Sequence, residues 1–138
     1  MCERGQPRSN GAMQPLTQQT VYSVIGEETL RRIVDVFYER VERDPLLRPL
    51  FPADLGPGKE GQFLFLVQYF GGPANYSAQR GHPRLRMRHM PFAIGQPERD
   101  AWLGHMLAAI DEVGVAEPAR TLMREYFERA ATFMINQS

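Results

Sequence analysis

The chain has 138 residues, and 16 lysines and arginines balance 16 aspartates and glutamates. That length is one domain by size, able to bury about two-thirds of its unfolded surface, and a 43 % hydrophobic content supplies a core. Charge neutrality argues against a protein that grips nucleic acid or a membrane through its overall field, and the single cysteine, Cys2, excludes disulfide scaffolds, cysteine-built zinc sites and covalently attached c-type haem.

Residues 1–20 are polar and broken by Gly5, Pro7, Gly11 and Pro15, which predicts a mobile extension ahead of a domain over 21–138. They lack the apolar stretch of a signal peptide, and no run approaches 18 apolar residues, so the expectation is a soluble, cytoplasmic chain.

From Val21 onward the period is helical. Leu30, Ile33, Val34, Phe37, Tyr38 and Val41 recur at helical spacing and predict a helix over about 27–43, stopped near Asp44-Pro45. Pro49, Pro52, Gly56, Pro57 and Gly58 mark a loop. Gly61 to Phe70 is apolar on almost every side, which suits a helix covered on most of its circumference or facing a bound apolar object. A buried strand is the rival reading, set aside for want of a strand partner. Gly71-Gly72-Pro73 breaks the chain, an irregular stretch runs to about Pro83, and a short helical piece spans Pro83 to His89. A helix then starts near Pro97 with the stripe Trp102, Leu103, Met106, Leu107, Ile110 and Val113, and Gly114 ends it. The last helix starts near Pro118 and carries Leu122, Met123, Tyr126, Phe127, Ala130, Phe133 and Met134. No alternating strand pattern appears, so the predicted class is all-α.

Charge is uneven along the chain. No acidic residue lies between Glu60 and Glu98, an interval that holds Arg80, Arg84, Arg86, Arg88, His82 and His89. A solvated arginine loop is the bland explanation; an anion site beside a very apolar helix is the sharper one, since guanidinium forks suit carboxylate and phosphate. An apolar body with anionic ends is what a haem, a flavin or a fatty acyl group presents. His89 lies one turn after Leu85 and faces the same way, with Arg86 and Arg88 on its flanks. A lone histidine on such a face is usually a hydrogen-bonded core residue. If it binds metal, it does so as the single protein ligand of a metal held by something else, as in haem. His82 reads as a local hydrogen-bonding group and His105 as packing or surface. Tyr38, Gln62 and Trp102 place polar tips where apolar ones are expected; converging on one pocket, they would form a donor cage for a small ligand with partial negative charge.

The string Tyr69-Phe70-Gly71-Gly72-Pro73, then Tyr76, Arg80-Gly81-His82-Pro83-Arg84-Leu85-Arg86-Met87-Arg88-His89 and Pro91-Phe92 with Ile94, resembles the central motif of the group II truncated haemoglobins. The likeness continues through Phe37-Tyr38-Glu39-Arg40-Val41, Pro49-Leu50-Phe51-Pro52 and Glu98-Arg99-Asp100-Ala101-Trp102-Leu103, and covers about residues 21–135. It implies a two-over-two helical sandwich around non-covalent haem b. By the same resemblance His89 is the proximal iron ligand, and Tyr38, Gln62 and Trp102 are the distal groups that stabilise the bound ligand. Phe51 packs on the macrocycle together with Leu66, Leu85 and Phe92. Tyr76, Arg86 and Arg88 face the propionates, and Gly58 stands where other globins carry a gating side chain.

The expected function is therefore binding of dioxygen and other diatomics such as nitric oxide and carbon monoxide. Nitric oxide dioxygenation with a reductase as electron source, or peroxidase-like chemistry, are the reactions in view, in a monomer or homodimer. The competing class is a non-haem helical module using the Arg80–Arg88 cluster for an anionic partner such as RNA or an acidic protein.

Overall fold

A computed structural model describes residues 19–137, excepting the side chains of Leu85 and Arg86. The extension expected over 1–20 falls on residues outside this range, save for its last two. Of these, Thr20 is the N-cap of the first helix, α1, Val21–Glu42. Its hydroxyl accepts from Ser23 N–H at 3.0 Å while its own N–H donates to Ser23 Oγ at 2.9 Å, satisfying two groups a helix end leaves orphaned. Gly26, at φ +85°, interrupts the helical path, a conformation glycine adopts without the cost of a Cβ. The long straight portion thus begins where the sequence periodicity places it, at 27. Its stripe of Leu30, Ile33, Val34, Phe37, Tyr38 and Val41 is buried throughout.

A single 3-10 turn, Arg48–Leu50, follows. The Arg48 guanidinium donates to the carbonyls of Phe51, Pro52 and Ala53 at 3.0–3.2 Å, ordering a loop that has no helix of its own and fixing where Phe51 points. Helix α2, Gly56–Tyr69, buries Gly61, Phe63, Leu64, Leu66 and Val67, so the apolar run is a helix and not a strand. Helix α3, Asn75–Arg80, lies where an irregular stretch is predicted; Tyr76 is its one buried side chain, too little to leave a periodic stripe. Helix α4 is Leu85–His89, starting later than Pro83 because Arg84 takes a left-handed conformation at φ +47°. Arg84 N–H donates to His82 Nδ1 at 3.1 Å, the local bond expected of His82. Helices α5, Gln96–Val113, and α6, Ala119–Phe133, complete the chain.

Helices α1 and α2 pack as one pair, α5 and α6 as the other, and α1 crosses onto both α5 and α6. The described residues are all-helical, a two-over-two sandwich. Between the pairs lies one continuous core of Leu30, Ile33, Phe37, Leu66, Met106, Ile110, Met123 and Phe127. The short α3–α4 segment is left over at one side of the sandwich and closes a cavity there.

Candidate functional site

The cavity holds about 370 Å³, within the roughly 300–1,000 Å³ typical of small-molecule and cofactor sites. Each helix contributes to its wall. From α1 come Phe37 and Tyr38, from α2 Gly58, Gln62, Phe65 and Leu66, from α3 Tyr76, from α5 Trp102 and from α6 Phe127. Arg88, His89, Phe92 and Ile94 close it on the side of α4. The predicted residues Tyr38, Phe51, Gly58, Gln62, Leu66, Tyr76, Arg88, His89, Phe92 and Trp102 therefore share one cavity. The side chains of Leu85 and Arg86 lie outside what the structure describes.

Tyr38 and Trp102 are held by edge-on ring contacts to the same residue. Phe37 packs against Tyr38 at 5.3 Å and against Trp102 at 5.4 Å between ring centroids. Phe51 flanks Tyr38 from the other side at 5.9 Å. Burial pushes the Tyr38 hydroxyl up to about 12, so at neutral pH it keeps its proton and can donate. A Cβ added to Gly58 would lie 3.5 Å from that hydroxyl, so the missing side chain leaves the space beside Tyr38 open.

Gln62 is the site's anomaly. Its Oε1 is buried and finds no hydrogen-bond partner among the described residues. A buried polar atom left without a partner costs about 1–3 kcal/mol, which makes Gln62, a residue of the cavity wall, a candidate contact for an occupant. The two ends of the amide exchange by a half-turn, so the same side chain can present either an acceptor or N–H donors.

His89 is half-buried at the end of α4 and is the imidazole among the residues that line the cavity. Arg88 turns back on the backbone, donating through Nε to Pro83 O at 2.7 Å and through a terminal nitrogen to Arg80 O at 3.3 Å. Arg80, also in the wall, donates to Pro57 O at 3.3 Å and so ties α3 to the start of α2. His105 stands apart from the cavity. Its Nδ1 accepts from Arg40 Nε at 3.1 Å and its Nε2 lies 2.7 Å from Asp44 Oδ2, a contact that holds the Asp44 carboxyl below its usual range. The sequence reads His105 as packing or surface; the structure makes it a part-buried polar link between Arg40 and Asp44. Among the described residues no three of His, Cys, Asp and Glu cluster as a metal site.

Sequence reasoning passed over Phe65, Phe127, Ala130, Ala131 and Met134 as wall residues. Most of these belong to apolar stripes read there as ordinary core. Periodicity signals that a face is covered; it does not distinguish protein from ligand as the cover.

The bacterial-like globin family matches residues 20–136. The chain is 47 % identical over 117 residues to the group 2 truncated hemoglobin YjbI of Bacillus subtilis strain 168, covering 85 % of this chain and 89 % of that protein. Among solved structures, it is 67 % identical to the hemoglobin of the thermophilic phototrophic bacterium Chloroflexus aurantiacus, with a TM-score of 0.86 and coverage of 87 % and 100 % of the two chains. The truncated oxygen-avid haemoglobin from Bacillus subtilis superimposes with a TM-score of 0.83 at 46 % identity, covering 86 % of this chain and all of that one. Among the described residues no helix is long and apolar enough to cross a membrane.

Proposed function

This chain belongs to the bacterial-like globins and, within them, to the group II truncated haemoglobins; from that we propose that it retains dioxygen tightly in the cavity between Tyr38, Gln62, Trp102 and His89. Haem b with its iron is the cofactor of the family, and dioxygen and other small diatomics are its ligands.

The residues present fit that cofactor. The wall is largely apolar, as a flat macrocycle requires; the His89 imidazole and the Gln62 amide break it, and Arg80, Arg88, Glu98 and Arg99 add charge. In this reading His89 would hold the iron through a neutral ring nitrogen. Phe51, Leu66 and Phe92 would pack on the ring, with Leu85 carried by resemblance alone. Tyr76 and Arg88 would face the carboxylate ends, again with Arg86 carried by resemblance. When bound, the haem iron supplies the point at which a diatomic ligand is held. Everything else falls to the chain: Tyr38 donates from a hydroxyl that stays protonated, Trp102 from its indole N–H, and Gln62 from its amide. These donors favour a ligand with partial negative charge and oppose its escape, so retention is a more natural outcome than release for transport.

Observations in the chain weigh against the non-haem module. Arg80 and Arg88 spend donors on backbone carbonyls at the cavity rim instead of standing free for an anionic macromolecule.

The orphaned Gln62 Oε1 carries this reading, and Gln62→Leu tests it. Removing an unsatisfied buried amide is expected to raise the unfolding free energy of the haem-free protein by about 1–2 kcal/mol in urea. The same variant, haem-loaded, is expected to release dioxygen faster in rapid mixing. A stabilised variant with unaltered release would show that the amide has no part in holding ligand.

A further inference from the structure

We propose that Asn136, three residues beyond the end of α6, is a positioning residue for the proximal side of the site: its side-chain amide pins the backbone that carries His89 and Phe92. The inference rests on the reading of His89 as iron ligand.

Helix α4 is too short to hold its own orientation. It spans Leu85–His89, little more than one turn, and isolated helices of that length are unstable in water. Its last carbonyls have no helical partner and must find one elsewhere. Within the segment, Phe92 N–H donates to His89 O at 3.0 Å in a tight turn, and among the described residues Phe92 O and the Ile94 peptide find their partners outside it.

Asn136 supplies the missing partners from 42 to 47 residues away in sequence. Its Nδ2 donates to Phe92 O at 2.8 Å and, at the longer distance of 3.4 Å, to His89 O. Its Oδ1 accepts from Ile94 N–H at 2.9 Å, and its own backbone N–H donates to Ile94 O at 2.8 Å. Gln137 N–H adds a second donor to Ile94 O at 3.1 Å. The amide orientation is settled by this set: reversed, Nδ2 would face the Ile94 N–H and Oδ1 would face two carbonyls.

The geometry joins two lengths of chain through one side chain and two backbone N–H groups. One is the end of α6, which already lines the cavity with Ala130, Ala131 and Met134; the other is the stretch from His89 to Ile94, which lines it with His89, Phe92 and Ile94. Because an imidazole hangs two bonds from its own Cα, a backbone free to shift changes the angle at which that ring reaches the cavity. Pinning the carbonyls at 89 and 92 sets that angle before any ligand arrives, as supporting groups do for metal-ligating histidines.

The discriminating substitution is Asn136→Asp in the full-length, haem-loaded protein. It keeps an acceptor for Ile94 N–H, removes the donation to His89 O and Phe92 O, and sets a carboxylate oxygen against those carbonyls in its place. Asn136→Ala removes both. Three readouts are compared: haem transfer to an excess of an apoglobin acceptor, the iron–histidine stretching band of the ferrous protein in resonance Raman, and thermal unfolding of the haem-free protein. The proposal expects both variants to lose haem on the order of tenfold faster, the scale of one or two net hydrogen bonds. It also expects their iron–histidine band to shift or broaden.

Unchanged transfer with an unchanged band would overturn the proposal, and so would lowered thermal stability alone. His89→Ala, run alongside, separates the two claims. If that variant keeps the wild-type band, the reading of His89 fails, whatever Asn136 does. If it loses the band while Asn136→Asp does not disturb it, only the positioning role fails.

Discussion

His89→Ala protein is expected to release haem faster than wild type by about two orders of magnitude or more, at 1.4 kcal/mol for each tenfold step. The cavity's apolar wall remains in the variant, with Phe51, Leu66, Phe92 and Phe127 all in place, so weak binding of the macrocycle should persist. The directed bond from the imidazole is what disappears. A His89→Gly variant offers the complementary test, because free imidazole can occupy the space vacated by the side chain. Adding imidazole is expected to restore a five-coordinate ferrous spectrum and to slow haem release. Failure to fold is separated from loss of ligand by this rescue, since an unfolded cavity would not respond. Wild-type spectra in both variants would remove His89 from the site.

The second large effect is expected on the other face of the cavity. Tyr38→Phe deletes one oxygen and leaves the ring in its contacts with Phe37 and Phe51. Trp102→Phe deletes the indole N–H, with some loss of packing against Phe37 and Phe127. Each hydrogen bond to a bound ligand contributes about 1–1.5 kcal/mol, so each substitution should accelerate dioxygen release by about tenfold. The double variant should approach a hundredfold, short of full additivity because both rings lean on Phe37. The Tyr38 contribution should be constant from acid to mildly alkaline pH, because burial keeps its hydroxyl protonated up to about 12. Rapid mixing of the dioxygen-loaded protein with excess carbon monoxide reads these rates directly. Release unaltered in both single variants would contradict the donor cage.

Much of this cavity's lining was legible before the fold was, some of it only through the family resemblance. Tyr38, Gln62 and Trp102 each interrupt an apolar stripe with a polar tip, and His89 does so within an arginine-rich interval. Such interruptions are visible in one dimension because helical period assigns every residue to a face. The long α1, α2, α5 and α6 were legible for the same reason, with Gly26 setting the effective start of α1. Helix α3 was not, because six residues with one buried side chain leave no period to read. The start of α4 was misplaced by two residues since the left-handed turn at Arg84 depends on a bond from its own N–H to His82 Nδ1.

What stayed hidden shares one cause: it depends on pairs far apart in the chain. The α6 contribution to the cavity, the Arg80 bridge to Pro57 and the Asn136 clamp on 89–94 exist only once helices pack. Asn136 in particular lies beyond the last apolar stripe, where the helical period carries no information. Its amide is nonetheless half of a network that closes across 42 residues. The orphaned Gln62 oxygen is likewise invisible in sequence, which records the amide but not whether anything meets it.

The most direct test of the account is titration of haem-free wild-type protein with haemin, followed in the Soret region and by the iron–histidine band after reduction. A sharp endpoint at one haem per chain is expected, with a ferrous band characteristic of a single imidazole ligand and loss of that band in His89→Ala. Haemin that binds without a defined endpoint, or a reduced protein lacking the iron–histidine band, would contradict it.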